Sequence, residues 1–436
     1  MKYYSTNRQA PPATLEEAVI RGLAGDRGLY MPERIPALEA GVIRSMKDMS
    51  FHGIAGVVAR ALFGEDVEEE VLTATVEDTL AFDTPVVHVH GTVYSLELFH
   101  GPTLAFKDVG ARFMARLLGH FIRRRGIDRT VNVLVATSGD TGSAVAAGFL
   151  GVEGIRVFVL YPGGGRVSPI QECQFTTLGR NITALEIDGT FDDCQALVKD
   201  AFADRDLNAR MALTSANSIN VARFLPQTFY YFNAYAQIDR AGKAGELIVS
   251  VPCGNLGNLA AGLIAARMGL PVERFVAANN RNDVFYTYLK TGVYEPHPSR
   301  TTIASAMDVG NPSNFARILD LFGGDRRAMA RTVATRRYDD GEMARTMMNI
   351  FRRYGYLLDP HGACACRALH DFRLTSHQTG LFLETAHPAK FRETAERITG
   401  TGVDIPPRLQ AFMNGWKQSI PLGRDYGGFR EFLISS

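Results

Sequence analysis

Cysteine is scarce in this chain, tryptophan scarcer, and neither sign of charge is in excess. Among 436 residues there are five Cys and one Trp, and 47 Lys+Arg against 46 Asp+Glu leave a formal charge of +1. An odd, scattered set of cysteines makes no disulfide framework and points to a reducing compartment. The missing basic excess argues against a nucleic-acid binder or a polybasic membrane-surface protein, whose partners demand a strong positive field. No apolar run approaches the ~20 residues that span a bilayer. The opening Met1-Lys2-Tyr3-Tyr4-Ser5-Thr6-Asn7 lacks the apolar core of a secretory signal. No repeat of fixed period is present, and low complexity is confined to Pro162-Gly163-Gly164-Gly165. With 46% hydrophobic and 21% charged residues, what remains is a globular, cytoplasmic chain long enough for two or three domains, with no nucleic-acid or membrane partner.

Residues 1–85 read as a mainly helical N-terminal domain. Thr14-Leu15-Glu16-Glu17 has the form of a capping box. A second helical pattern covers residues 49–63, and Glu68-Glu69-Glu70 opens a third, its acids forming a solvated face. Beyond residue 130 the rhythm changes to short β-branched runs, each followed by a turn and a helical stretch. The runs lie at residues 131–136, 155–160, 182–187, 247–251 and 275–278. Strands alternating with helices imply βαβ units and buried parallel sheet. A long helical pattern over residues 220–238 separates two such stretches. The expected architecture is therefore α/β, with two open, mainly parallel lobes in residues 86–436. The smaller lobe covers about 110–215, the larger about 86–109 with 216–400, and a tail 401–436. In such folds ligands lie beyond the carboxyl ends of the strands, where the glycine loops sit.

Gly254-Asn255-Leu256-Gly257-Asn258 follows a strand and opens a helix. Glycines there let the backbone approach an anion, and helix-start N–H groups hold a phosphate. The spacing is not G-x-G-x-x-G, and the next strand runs into Asn279 and Asn280 with no acid for a ribose, so a dinucleotide is disfavoured. Thr137-Ser138-Gly139-Asp140-Thr141-Gly142 occupies a second strand–loop–helix position and gathers hydroxyls, a carboxylate and helix-start amides. It reads either as an anion site or as a plain capping arrangement, and Asp140 would repel an anion unless another donor answers it. Lys107, in Leu104-Ala105-Phe106-Lys107-Asp108, has apolar neighbours that favour the neutral, nucleophilic amine; alone, a lysine before an aspartate is usually a surface residue. His387 before Pro388 reads as a turn brace. His88 and His90, and Cys364 and Cys366, lack metal-ligand spacing, so no metal is expected.

Four stretches together resemble the threonine synthase family of the bacterial and fungal type. They are Leu98-Phe99-His100-Gly101-Pro102-Thr103-Leu104-Ala105-Phe106-Lys107-Asp108, the Ser138–Gly142 loop, the Gly254–Asn258 loop, and Thr385-Ala386-His387-Pro388-Ala389-Lys390-Phe391. Asn217-Ser218-Ile219-Asn220 and Ala306-Met307-Asp308-Val309 are similar too. The resemblance implies a pyridoxal 5'-phosphate enzyme of the tryptophan-synthase-β-like fold (fold type II). By it, Lys107 carries the cofactor as a Schiff base. Gly254, Asn255, Leu256, Gly257 and Asn258 hold its phosphate, Thr385 meets its pyridine nitrogen, and Asp140 lies near its ring hydroxyl. Leu256 stands where many relatives carry phenylalanine. The implied reaction takes O-phospho-L-homoserine and water to L-threonine and phosphate, with Ser138, Gly139, Thr141, Asn220 and Arg223 as substrate-binding residues. Two other readings stay open on sequence: a phospho-lyase of the same family releasing 2-oxobutyrate and ammonia, and a non-catalytic α/β ligand-binding protein that needs no Lys107.

Overall fold

A computed structural model describes every residue from Met1 to Ser436. Its contacts divide the chain into two compact units: Met1–Met31 with Lys107–Arg223 and Ile405–Ser436, and Pro32–Phe106 with Phe224–Asp404. Of residues 1–85, Met1–Met31 falls in the first unit and 32–85 in the second. The helices there are amphipathic, and each hides its apolar stripe on a different unit. The helix Leu15–Arg21 begins at the expected capping box of Thr14 and Glu17 and belongs to the first unit. Phe51–Phe63 buries Ile54, Ala55, Val58, Leu62 and Phe63 in the second.

The first unit holds a five-stranded parallel sheet in the order Ser419–Leu422, Ile182–Ile187, Ile155–Pro162, Val131–Ala136, Ala212–Ser215. Every residue of Val131–Ala136 is buried, as a strand covered on both faces requires. The tail is part of this unit: Ser419–Leu422 adds the edge strand beside Ile182–Ile187, and Phe429 and Leu433 enter a core with Phe158, Leu185 and Leu197.

A six-stranded sheet organises the second unit, in the order Val333–Arg337, Arg274–Asn279, Glu246–Cys253, Gln378–Glu384, Val93–Glu97, Val86–His90. All neighbours are parallel except the last pair. From Glu246–Cys253 the chain passes outward to Arg274–Asn279, whereas Gln378–Glu384, on the other flank, comes from far along the chain. The order therefore reverses between these two central strands, and a crevice opens beyond their carboxyl ends. The Gly254–Asn258 loop and Thr385 begin there. The helical pattern of 220–238 is interrupted: Val221–Phe224 and Thr228–Arg240 flank a tight turn, Leu225–Gln227, at Pro226. Proline offers no N–H to an α-helical bond. No helix of the chain is long and apolar enough to cross a membrane.

Candidate active site

In the second unit, the segment leading to Lys107 is fixed by residues 385–387, by Lys390 and by Tyr230. Ala105 bridges Ala386 in antiparallel fashion, Phe106 N–H donates to the Thr385 carbonyl at 2.9 Å, and His387 N–H donates to the Leu104 carbonyl at 3.1 Å. Lys390, only 1% exposed, donates from Nζ to the Thr103 carbonyl at 2.9 Å, and the Tyr230 hydroxyl donates to the Phe106 carbonyl. Lys107 is the next residue, half-buried, and the first of the 19-residue helix Lys107–Arg125. The positive end of a helix dipole disfavours an ammonium there by roughly 0.3–1 kcal/mol, an effect that Asp108 in the same turn opposes. Thr385 is buried, and its hydroxyl takes no part in this ladder. His387 braces the turn as expected, its Nδ1 accepting from Ala389 N–H at 3.1 Å, and burial holds its pKa below the ordinary histidine value.

The glycine loop lies across the crevice within the same unit. Leu256 takes a left-handed conformation (φ 60°) as the cap of the helix Gly257–Arg267, and the first intrahelical bond runs from Ala260 N–H to the Leu256 carbonyl. The N–H groups ahead of Ala260 are then directed out of the helix start. The amide side chains hold the loop itself: Asn255 Oδ1 accepts from Ser313 N–H at 2.6 Å, and Asn258 Oδ1 accepts from the Tyr231 hydroxyl at 2.5 Å. Behind the loop a Cβ at Gly254 would meet the Ala306 carbonyl oxygen and Met307 Cα, both at 2.9 Å. Those are backbone atoms that cannot swing aside, so Gly254→Ala must push the loop forward. We expect the fold to lose about 1–3 kcal/mol to overpacking, as read by urea unfolding.

The second loop belongs to the first unit. Thr137 Oγ1 accepts from Gly139 N–H at 2.9 Å and Gly142 N–H at 2.8 Å, so this hydroxyl organises the turn and is not available to a ligand. Ser138 and Thr141 are half-buried beside the start of the helix Asp140–Phe149. The donor that Asp140 requires is Gln171, whose Nε2 donates to Oδ1 at 2.8 Å. Asn217 binds both the N–H and the carbonyl of Ala136, at 3.3 and 3.0 Å, which stitches the 216–223 segment to the strand end before Ser138. Asn220 is fully buried: its Nδ2 donates to the Val19 and Ser215 carbonyls, and its Oδ1 accepts from Ala222 N–H. Arg223, 2% exposed, donates from Nη1 to the Ala216 carbonyl. Asn220 thus ties the segment both to itself and to the helix Leu15–Arg21, and Arg223 Nη1 ties it back to Ala216.

One cluster in the second unit lies outside the candidate residues of the sequence. Glu384, directly before Thr385, and Asp359 are fully buried, and His361 is 2% exposed. Asp359 N–H donates to Glu384 Oε1. Burial, aided by the charge of Asp359, holds the Glu384 carboxyl well above the usual carboxylate range. The folded state then takes up a proton that the unfolded chain releases above pH ~4.5. Stability from this group is complete below that value and declines as pH rises, by about 1.4 kcal/mol per unit, until Glu384 itself ionises. Glu384→Gln removes this component, and urea melts of both proteins between pH 5 and 7 measure the difference in slope. The available signal was Asp359-Pro360, an acid before proline at a helix start.

Comparison with known proteins accords with this geometry. A family described as pyridoxal-phosphate dependent enzyme matches residues 78–380, and one described as threonine synthase N terminus matches residues 2–80. The threonine synthase of Escherichia coli (strain K12) is 42% identical over 437 residues, covering 100% of both chains. A crystal structure of threonine synthase from Escherichia coli superposes with a TM-score of 0.93 over 100% of both chains. A PLP-bound threonine synthase from Brucella melitensis, 34% identical, gives 0.91 over 100% of this chain and 99% of that one.

Proposed function

The chain belongs to the family of pyridoxal-phosphate-dependent threonine synthases, and from that membership we propose which of its residues do the chemistry and on which substrate. Its fold is that of fold type II, its cofactor is pyridoxal phosphate, and it is a lyase acting on a small molecule. The residues present fit that cofactor. A close-packed Gly254 cradle with outward helix-start N–H groups suits a phosphate, and an amine at a helix start suits a carbonyl.

In this reading Lys107 would hold the coenzyme covalently, Gly254–Asn258 would hold its phosphate through backbone N–H groups, and the Thr385 hydroxyl would serve its ring nitrogen. Asp140, steadied by Gln171, serves the ring hydroxyl. When bound, the ring supplies a sink for the electron pair left on substrate carbon. Freed when the substrate amine takes its place, the Lys107 amine would remove the proton from Cα of O-phospho-L-homoserine, and after phosphate has left both Cγ and Cα are reprotonated, at least one of them by Lys107. Deprotonation at Cβ drives departure of the γ-phosphate, and water adds at Cβ to give L-threonine. Ser138, Gly139 and Thr141 bind the carboxylate or phosphate of the substrate, while Asn220 and Arg223 contribute by holding the 216–223 segment in shape.

The observation that carries this reading is the ladder between residues 103–106 and 385–390, which ties Phe106, the residue before Lys107, to Thr385. Purified enzyme given O-phospho-L-homoserine is expected to release phosphate and threonine in equal amounts. Release of 2-oxobutyrate and ammonia in place of threonine would favour the phospho-lyase.

A further inference from the structure

Asp359 is the N-cap of the helix Pro360–Phe372, but its bonds go further than a cap requires. One oxygen accepts from His361 N–H at 2.6 Å and from His361 Nδ1. The other reaches out of the helix to Ala386 N–H at 3.2 Å, the residue after Thr385. His361 extends the chain of contacts in the opposite direction: its Nε2 accepts from Ala306 N–H at 3.2 Å. With Nε2 accepting, Nδ1 carries the proton that Asp359 receives, so the tautomer is set by two partners. The ring is held edge-on to Phe391, centroids 4.9 Å apart. Ala306 and Met307 are in turn the backbone against which Gly254 is packed. Two buried side chains therefore join the strand end of Thr385 to the backing of the phosphate loop.

We propose that Asp359 and His361 are a positioning pair that fixes the spacing between Thr385 and the Gly254–Asn258 loop, and with it the seat of the coenzyme's ring nitrogen relative to its phosphate. This rests on the assignment of those two elements to the coenzyme. A cap alone would need neither the reach to Ala386 nor the imidazole. A buried carboxylate with several converging donors resists displacement, because any shift leaves charge or donors unpaired. A seat of fixed length discriminates the full coenzyme from its separate parts.

His361→Asn isolates the link. An asparagine amide can still donate to Asp359 from the Nδ1 position but is too short to accept from Ala306, whereas His361→Gln keeps an acceptor near the Nε2 position. In the full chain the Asn variant is expected to melt within a few degrees of wild type yet bind pyridoxal phosphate about tenfold more weakly, the cost of one lost buried bond. The phosphorus-31 resonance of its bound coenzyme should move. The Gln variant should stay within about threefold in affinity with a near-native resonance. Equal affinity and an unmoved resonance in the Asn variant would overturn the pairing. Lys107→Ala, run beside it, separates the two layers: if that variant retains the coloured adduct, the underlying assignment fails instead. Should the Asn variant not fold, nitrogen-15 spectra of the wild-type holoenzyme decide, because His361 protonated on Nε2 rather than Nδ1 is incompatible with the link.

Discussion

Lys107→Ala is expected to purify without the visible absorption of a bound coenzyme adduct and to lose turnover by at least ~10³-fold, since one amine both anchors the coenzyme and moves the substrate protons. Its fold should be unaffected. Lys107 starts the helix Lys107–Arg125 and lies outside its buried set of Val109, Phe113, Leu117 and Phe121, and alanine is a favourable helix residue. Thermal melts of the apo forms should therefore coincide, while absorbance titration with pyridoxal phosphate separates them. An alanine variant that retains both colour and turnover would remove Lys107 from the mechanism. A colourless variant with an unfolded spectrum would show instead that the residue supports the fold.

Gly362→Ala should have the largest effect on stability. By propensity alone the change favours the helix Pro360–Phe372, by up to ~1 kcal/mol. The surroundings reverse the sign: a Cβ at Gly362 would fall 1.3 Å from Glu384 Oε2 and 2.4 Å from its carboxyl carbon. Glu384 has little room to retreat, because it is fully buried, its carboxyl accepts from Asp359 N–H, and its carbonyl accepts from Leu98 N–H at 2.9 Å. Overpacking of this kind costs about 3 kcal/mol, and the strain falls on the residue that precedes Thr385. Urea unfolding should show the loss, and coenzyme binding should weaken with it. Adding Glu384→Ala removes the obstructing carboxyl and should restore part of the stability, a coupling that a double-mutant cycle measures. Unchanged stability in the single variant would mean the helix and strand do not approach as described.

Local chemistry made much of this legible. The β-branched runs ending at glycine loops became the central strands, and the Thr14–Glu17 box formed as expected. His88 and His90 lie on the strand Val86–His90, where the register shifts between them, and His90 pairs with His370 at 2.8 Å. What the sequence hid depends on distant partners. An amphipathic helix shows that it has an apolar stripe but not which surface covers it, so the division of residues 1–85 between the two units has no sequence signal. Asn220 and Arg223 have the donor chemistry of ligand-binding residues, and only the fold shows that Asn220 Nδ2 and Arg223 Nη1 are engaged by backbone carbonyls. Asp359, His361 and Glu384 have no shared pattern, because the carboxyl that meets Asp359 lies 25 residues away on another element.

The most direct test is to reduce the holoenzyme with borohydride, digest it and locate the pyridoxyl label by mass spectrometry. We expect a single modified peptide with the label on Lys107. A label on Lys390, whose buried ammonium is bonded to Thr103, or on any other lysine, would contradict the assignment of the catalytic amine.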